Sequence, residues 1–187
     1  MAIREPGTTH AISDTGPLIS VFQSDSLDLV TALLPVIHIP SACVDELVRH
    51  GWGKLLQSAS SRIKTHHLAE EEKDTAWTIA QAIALHPLSR DPVIDNHLGE
   101  AQAMALAIHP EFVNDVILLD ELAARAVADE MGLTLSGFAG VLLVAVQEGL
   151  LTADELKERL ETCRRQGTHY SVLFIEQVYL AAKGGGE

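Results

Sequence analysis

The sequence predicts a single α/β domain of three layers, α/β/α, with helices on both faces of a mostly parallel sheet. Three observations carry that prediction. Short apolar runs, His10 to Ser13, Val36 to Ile39 and Val116 to Leu119, alternate with longer stretches of helical periodicity. The last of these runs is continuously apolar, as in a strand buried on both faces. The chain has 187 residues, 47% hydrophobic and 21% charged, enough for one domain that buries roughly 70% of the surface its unfolded form would expose. That domain is expected over residues 8–182, with the KGGGE stretch at 183–187 as a disordered tail.

The elements follow in order. The first run ends in Asp14-Thr15-Gly16-Pro17, which punctuates the chain ahead of a helical LISVF segment. Apolar positions 27, 29, 30, 33 and 34 give a helical period from Ser26 to Leu34, stopped by Pro35. After the second run, Pro40 and Ser41 open a helix with Val44, Leu47 and Val48 on one face and Gly51 as its stop. Between Lys54 and Asp95 only a helix over Glu70 to Leu85 is legible, and no chemistry is assigned there. An alanine-rich helix starts at Gly99 and ends before Pro110. Helices are then expected over Leu122 to Met131 and Phe138 to Gln147. Thr152 with Glu155 makes a capping box for the next. The last helix begins at Ser171, and its apolar residues 172–175 and 178–180 nearly encircle it, so it is expected to be buried by its own domain or by a second copy in a homodimer.

Composition limits the function. The net charge of −13 disfavours tight, extended gripping of a nucleic-acid backbone, yet suits a cation-binding cluster or a basic partner. Cys43 and Cys163 lie outside any CxxC or Cys/His spacing and are expected as reduced thiols. The N-terminal MAIREPGTTH lacks an apolar core, and the apolar run Phe138 to Val146 falls well short of the roughly 20 residues a span needs. A cytoplasmic protein without membrane contact is the expectation.

In open parallel sheets, ligands gather beyond the carboxyl ends of the strands. Asp14 and Asp120 each follow a strand and so share that edge. Glu46 lies in the helix after the second strand, and Glu100 in the first turn of the alanine-rich helix. Each has a bland alternative, a turn or cap for the aspartates and a solvated helix face for the glutamates. Two strand-end aspartates together favour a site. Oxygen donors with no His or Cys beside them suit Mg²⁺ or Mn²⁺. Glu121 reads better as the partner of Arg125 in an i,i+4 ion pair than as an outer ligand. Ser13 and Thr15 flank the first aspartate, and Ser136-Gly137 could meet a phosphate at a helix N-terminus. His66 and His67 are neighbours whose side chains point apart, which disfavours a shared metal.

Four segments, ISDTGPLISVF, IPSACVDELV, GEAQAMALAI and VILLDELAARAVADEMGLTLSGFAGVLLVAVQEGLL, resemble in order and spacing the PIN-like proteins, above all a prokaryotic branch that opens with DTGPLI. The resemblance covers most of residues 10–180. It implies a metal-dependent ribonuclease fold related to VapC-type toxins, with Asp14, Glu46, Glu100 and Asp120 as the catalytic and metal-holding acids, RNA as substrate and an antitoxin protein as partner. The alternatives are a metal-dependent phosphoesterase or nuclease with another substrate, and a PIN-like interaction module that no longer catalyses.

Overall fold

Five short strands, all parallel, form the middle layer in the computed structural model, which describes residues 9–184. In chain order they are β1 (Ala11–Ser13), β2 (Ile37–Pro40), β3 (Ile63–His66), β4 (Val116–Leu118) and β5 (Leu135–Ser136), arranged across the sheet as β3-β2-β1-β4-β5. The first three step outward in one direction and the last two in the other. The order therefore reverses between β1 and β4, where Ala11 pairs with Val116, Ile12 with Ile117 and Ser13 with Leu118. At such a reversal the loops leaving the two strands diverge to opposite faces and leave a crevice at the carboxyl edge.

Alternation along the strands sorts the two cores. Ala11, Ile37, Ile39 and Leu118 face one side, where they meet helices α1 (Thr15–Gln23), α2 (Leu27–Leu33), α3 (Ser41–Arg49), α8 (Phe138–Gln147), α9 (Ala153–Arg165) and α10 (Val172–Gly184). Ile12, Ile117 and Leu119 face the other, under α5 (Glu70–Leu85), α6 (Leu98–Ala107) and α7 (Leu122–Glu130). The short α4 (Gly53–Ser58) leads into β3, and a 3-10 turn over Ile94–His97 leads into α6. Buried alanines at 101, 103, 105 and 107 let α6 lie close to the sheet and to α5. The three-layer α/β/α prediction holds.

Two strands escaped prediction. β3 lies in the stretch that reads as illegible, and β5 is two residues long. The expected all-round burial of the last helix is also corrected. α10 buries Ile175, Val178 and Ala182, whereas Val172, Leu173 and Leu180 are 65%, 69% and 59% exposed. The alternative of cover by a second copy stays a proposal. Both cysteines are free and buried, and Lys183 and Gly184 belong to α10, while the rest of the expected tail lies outside the described residues. Among the described residues no helix is long and apolar enough to cross a membrane.

On the second face, three imidazoles step across the strands. His10 Nδ1 lies 3.1 Å from His38 Nε2, and His38 Nδ1 lies 2.8 Å from His66 Nε2. The Phe112 ring packs against His38 and His66. His67 lies just past the end of β3.

Candidate functional site

The sharp turn after β1 is built by Asp14 itself. Its carboxylate accepts the Gly16 N–H and caps α1, so the helix begins at Thr15, with Pro17 tolerated in the first turn where no intrahelical donor is needed. Asp14 is only 5% exposed. Gly16 lies between the two aspartates, since a Cβ there would make ordinary van der Waals contact with the Asp14 carboxylate and the Asp120 Cβ at 3.6–4.0 Å. The two strand-end aspartates thus face one another across the β1/β4 reversal.

Asp120 is held from two sides. Its Oδ1 accepts the Phe138 N–H at the start of α8 (3.1 Å), and its Oδ2 accepts the Tyr170 hydroxyl (2.8 Å). The N-terminus of α8, which the Ser136-Gly137 pair suggested for a phosphate, is therefore already engaged by the protein's own carboxylate. Gly137 makes that approach possible, since a Cβ would stand 2.5 Å from Asp120 Oδ1.

Glu46, partly buried on α3, brings its carboxylate to the backbone of Gly99, 3.7 Å from where a Cβ would sit, while His50 lies 3.9 Å from its other oxygen. Glu100 follows Gly99 on α6, the helix that packs against both α3 and β1. Burial raises the Asp14 carboxyl well above the usual range, and Glu100, Asp120 and Glu46 raise it further against the pull of the Gly16 N–H. Burial likewise raises Glu100, helped by Glu121 and Glu46 and opposed by its own backbone N–H and by His97. Asp120 is raised by burial too, with Tyr170, the Phe138 N–H and Arg125 pulling the other way. Asp14 thus lies within reach of the charges of the other three predicted acids.

Two neighbours differ from expectation. Glu121 is not paired with Arg125. Its Oε2 caps α7 by accepting the Ala124 N–H (2.6 Å), and Arg125 turns back to the Leu119 carbonyl (2.7 Å), beside Asp120. A cap at the strand-to-helix turn outweighs a surface ion pair on a helix. Glu121 thereby adds a fifth negative charge that Glu100 feels. Ser13 donates to the Asp14 backbone carbonyl (2.8 Å), so it braces the turn rather than the carboxylate. The groups that sequence reasoning misses are Tyr170 and the Phe138 N–H. Tyr170 lies 50 positions after Asp120, and nothing local marks it.

Among the described residues no group of three His, Cys, Asp or Glu side chains stands ready to hold a metal ion. The donor chemistry nevertheless fits one. Mg²⁺ keeps several waters and is commonly held by one or two carboxylates, so a closed protein cage is not required. Buried like charges that resist ionisation are relieved by a divalent cation.

Comparison with known proteins gives the family. A family model described as a PIN domain matches residues 10–183. The chain belongs to the PIN-domain family. No curated protein and no solved structure matches it at a significant level. PIN domains are generally nucleases that use divalent metals, so a nuclease-type protein with a nucleic-acid substrate is the class to which this chain belongs.

Proposed function

We propose that this PIN domain is a Mg²⁺- or Mn²⁺-dependent endoribonuclease, with Asp14, Glu46, Glu100 and Asp120 as the acids that hold the ion. The observation that carries the reading is the group of acids at the strand-order reversal, where Asp14 is buried and Asp14, Glu100 and Asp120 all resist ionisation. A bound divalent ion would acidify water and neutralise charge on a phosphodiester undergoing hydrolysis. The chain's own groups do the positioning. The Gly16 N–H fixes Asp14, and the Phe138 N–H with the Tyr170 hydroxyl fixes Asp120. Glu46 is partly exposed on α3, with its side chain 38% accessible.

The net charge of −13 adds that substrate engages weakly without cations, because phosphate and protein repel. An antitoxin carrying a basic segment is the partner this surface suits. The test is a panel of labelled single-stranded and structured RNA and DNA, incubated with Mg²⁺, Mn²⁺ or chelator. Metal-dependent cleavage of RNA is expected, abolished in Asp14→Asn. Cleavage that persists in excess chelator would sink the reading, and selective cleavage of DNA would move the substrate class.

A further inference from the structure

Tyr170 stands in the turn between α9 and α10, far in sequence from the crevice it reaches. Its hydroxyl lies 2.8 Å from Asp120 Oδ2 and 3.0 Å from Ser20 Oγ. An ionised carboxylate only accepts, so the phenolic proton goes to Asp120, and the Ser20 hydroxyl donates to the phenolic oxygen. Ser20 is fully buried on α1, the helix that Asp14 caps. A continuous set of contacts therefore links the two strand-end aspartates: Asp14 sets the start of α1, Ser20 on α1 donates to Tyr170, and Tyr170 holds Asp120. The Phe138 N–H holds the other Asp120 oxygen, so the plane of the carboxylate is fixed while further acceptor sites on each oxygen remain for an ion or water.

We propose that Tyr170 is a positioning residue for this acidic crevice, delivered by the C-terminal helical pair, and that it sets the orientation in which Asp120 meets a divalent cation. The inference rests on the metal-nuclease reading above and adds that the site is incomplete without the α9–α10 turn. It is an outer-shell role: partners that hydrogen-bond a metal-ligating carboxylate tune its affinity without touching substrate.

The decisive comparison uses full-length parent, Tyr170→Phe, Ser20→Ala and Asp14→Asn. Tyr170→Phe removes one oxygen and keeps the ring that packs on Phe174 at a centroid separation of 5.5 Å. In this variant the Mn²⁺ dissociation constant should rise about tenfold and kcat on RNA fall about tenfold, the lower end for loss of an outer-shell partner, with KM unchanged. Ser20→Ala leaves the bond to Asp120 in place and removes only the brace behind Tyr170, so it should lose less Mn²⁺ affinity and kcat than Tyr170→Phe does. A spectroscopic readout does not depend on how well Tyr170→Phe folds. The chain has two tyrosines, and Tyr179→Phe removes the one on α10 that bonds Asp154. In that background Mg²⁺ should perturb the near-ultraviolet spectrum of Tyr170, and Asp14→Asn should abolish the perturbation.

The outcomes separate cleanly. A parent that binds no Mn²⁺ overturns both the metal-nuclease reading and this inference. If the parent binds Mn²⁺ and Asp14→Asn does not, the inference alone is overturned by a Tyr170→Phe variant with the parent's affinity and kcat. It is equally overturned by a Tyr170 spectrum that is silent to saturating Mg²⁺, or by Ser20→Ala losing as much as Tyr170→Phe, since the hydroxyl pair would then only brace α1.

Discussion

A Cβ at residue 137 would lie 2.5 Å from Asp120 Oδ1 and 3.2 Å from both the Arg125 guanidinium and the Leu119 carbonyl. The carboxylate cannot step aside, because the Phe138 N–H and Tyr170 hold it from two directions. The glycine is thus demanded by close approach rather than by its backbone angles, which are extended. Gly137→Ala should destabilise the protein by about 1–3 kcal/mol, the usual range for overpacking. It should also weaken the response to Mn²⁺, because Asp120 is what it displaces. A thermal melt with chelator and with Mn²⁺ measures both effects, and a variant with the parent's melting point in each would show that the crevice has room to spare. Gly51 makes the opposite case. It has φ of +88° and open space around it, so an alanine there meets only the left-handed backbone penalty, about 1–2 kcal/mol, with no effect on metal.

At the scale of elements, the legible parts are those whose signal is local. The Thr152/Glu155 capping box forms as read, with Thr152 N–H donating to Glu155 Oε2 at 2.8 Å and Glu155 N–H donating to Thr152 Oγ1 at 3.2 Å. Phe138 to Gln147 is helical to the residue. Asp14 and Asp120 were visible because strand-then-acid is a short pattern, and the parallel sheet brings such ends to one edge. β3 was not visible, since it lies at the sheet's margin with only Ile63 buried, and its IKTH sequence carries no apolar alternation. Tyr170 was not visible either, because its role exists only once α9 and α10 pack against α1 and α8. α10 shows where periodicity misleads: a helix apolar nearly all round buries one stripe and presents another. Ending the chain before Ser171 should remove Ile175, Val178 and Ala182, uncover the apolar faces of α8 and α9 that they pack against, and promote aggregation. Leu173→Ser with Leu180→Ser probes the exposed stripe instead. In a monomer these changes should stay within about 0.5 kcal/mol each, whereas a homodimer closed over α10 should fall apart by light scattering.

The whole molecule carries an excess of negative charge, and its crevice concentrates it. With metal absent, the fold holds Asp14, Glu100 and Asp120 where burial disfavours their charged forms, with neighbouring carboxylates adding to the effect at Asp14 and Glu100. For Asp14 the folded pKa is raised above the unfolded value of 3.8, so the folded state binds the proton more tightly than the unfolded chain does. The associated stability is fully present below the unfolded pKa and is lost as pH rises through the folded pKa. Asp14→Asn removes that dependence while keeping an oxygen that can accept the Gly16 N–H and cap α1. In chelator, parent and Asp14→Asn should therefore melt alike near pH 4, and the variant should become relatively more stable as pH rises. Mn²⁺ should reverse the order at neutral pH. Binding to the parent adds about 2.7 kcal/mol when free metal is a hundred times its dissociation constant, and the variant lacks the charge that draws the ion in. Melts of both proteins across this pH range, with chelator and with Mn²⁺, decide the matter. If Asp14 served only as a helix cap, the difference in pH dependence would remain, but both proteins would respond alike to metal. A variant that keeps the parent's full metal-induced rise at neutral pH would remove Asp14 from the ion-holding set.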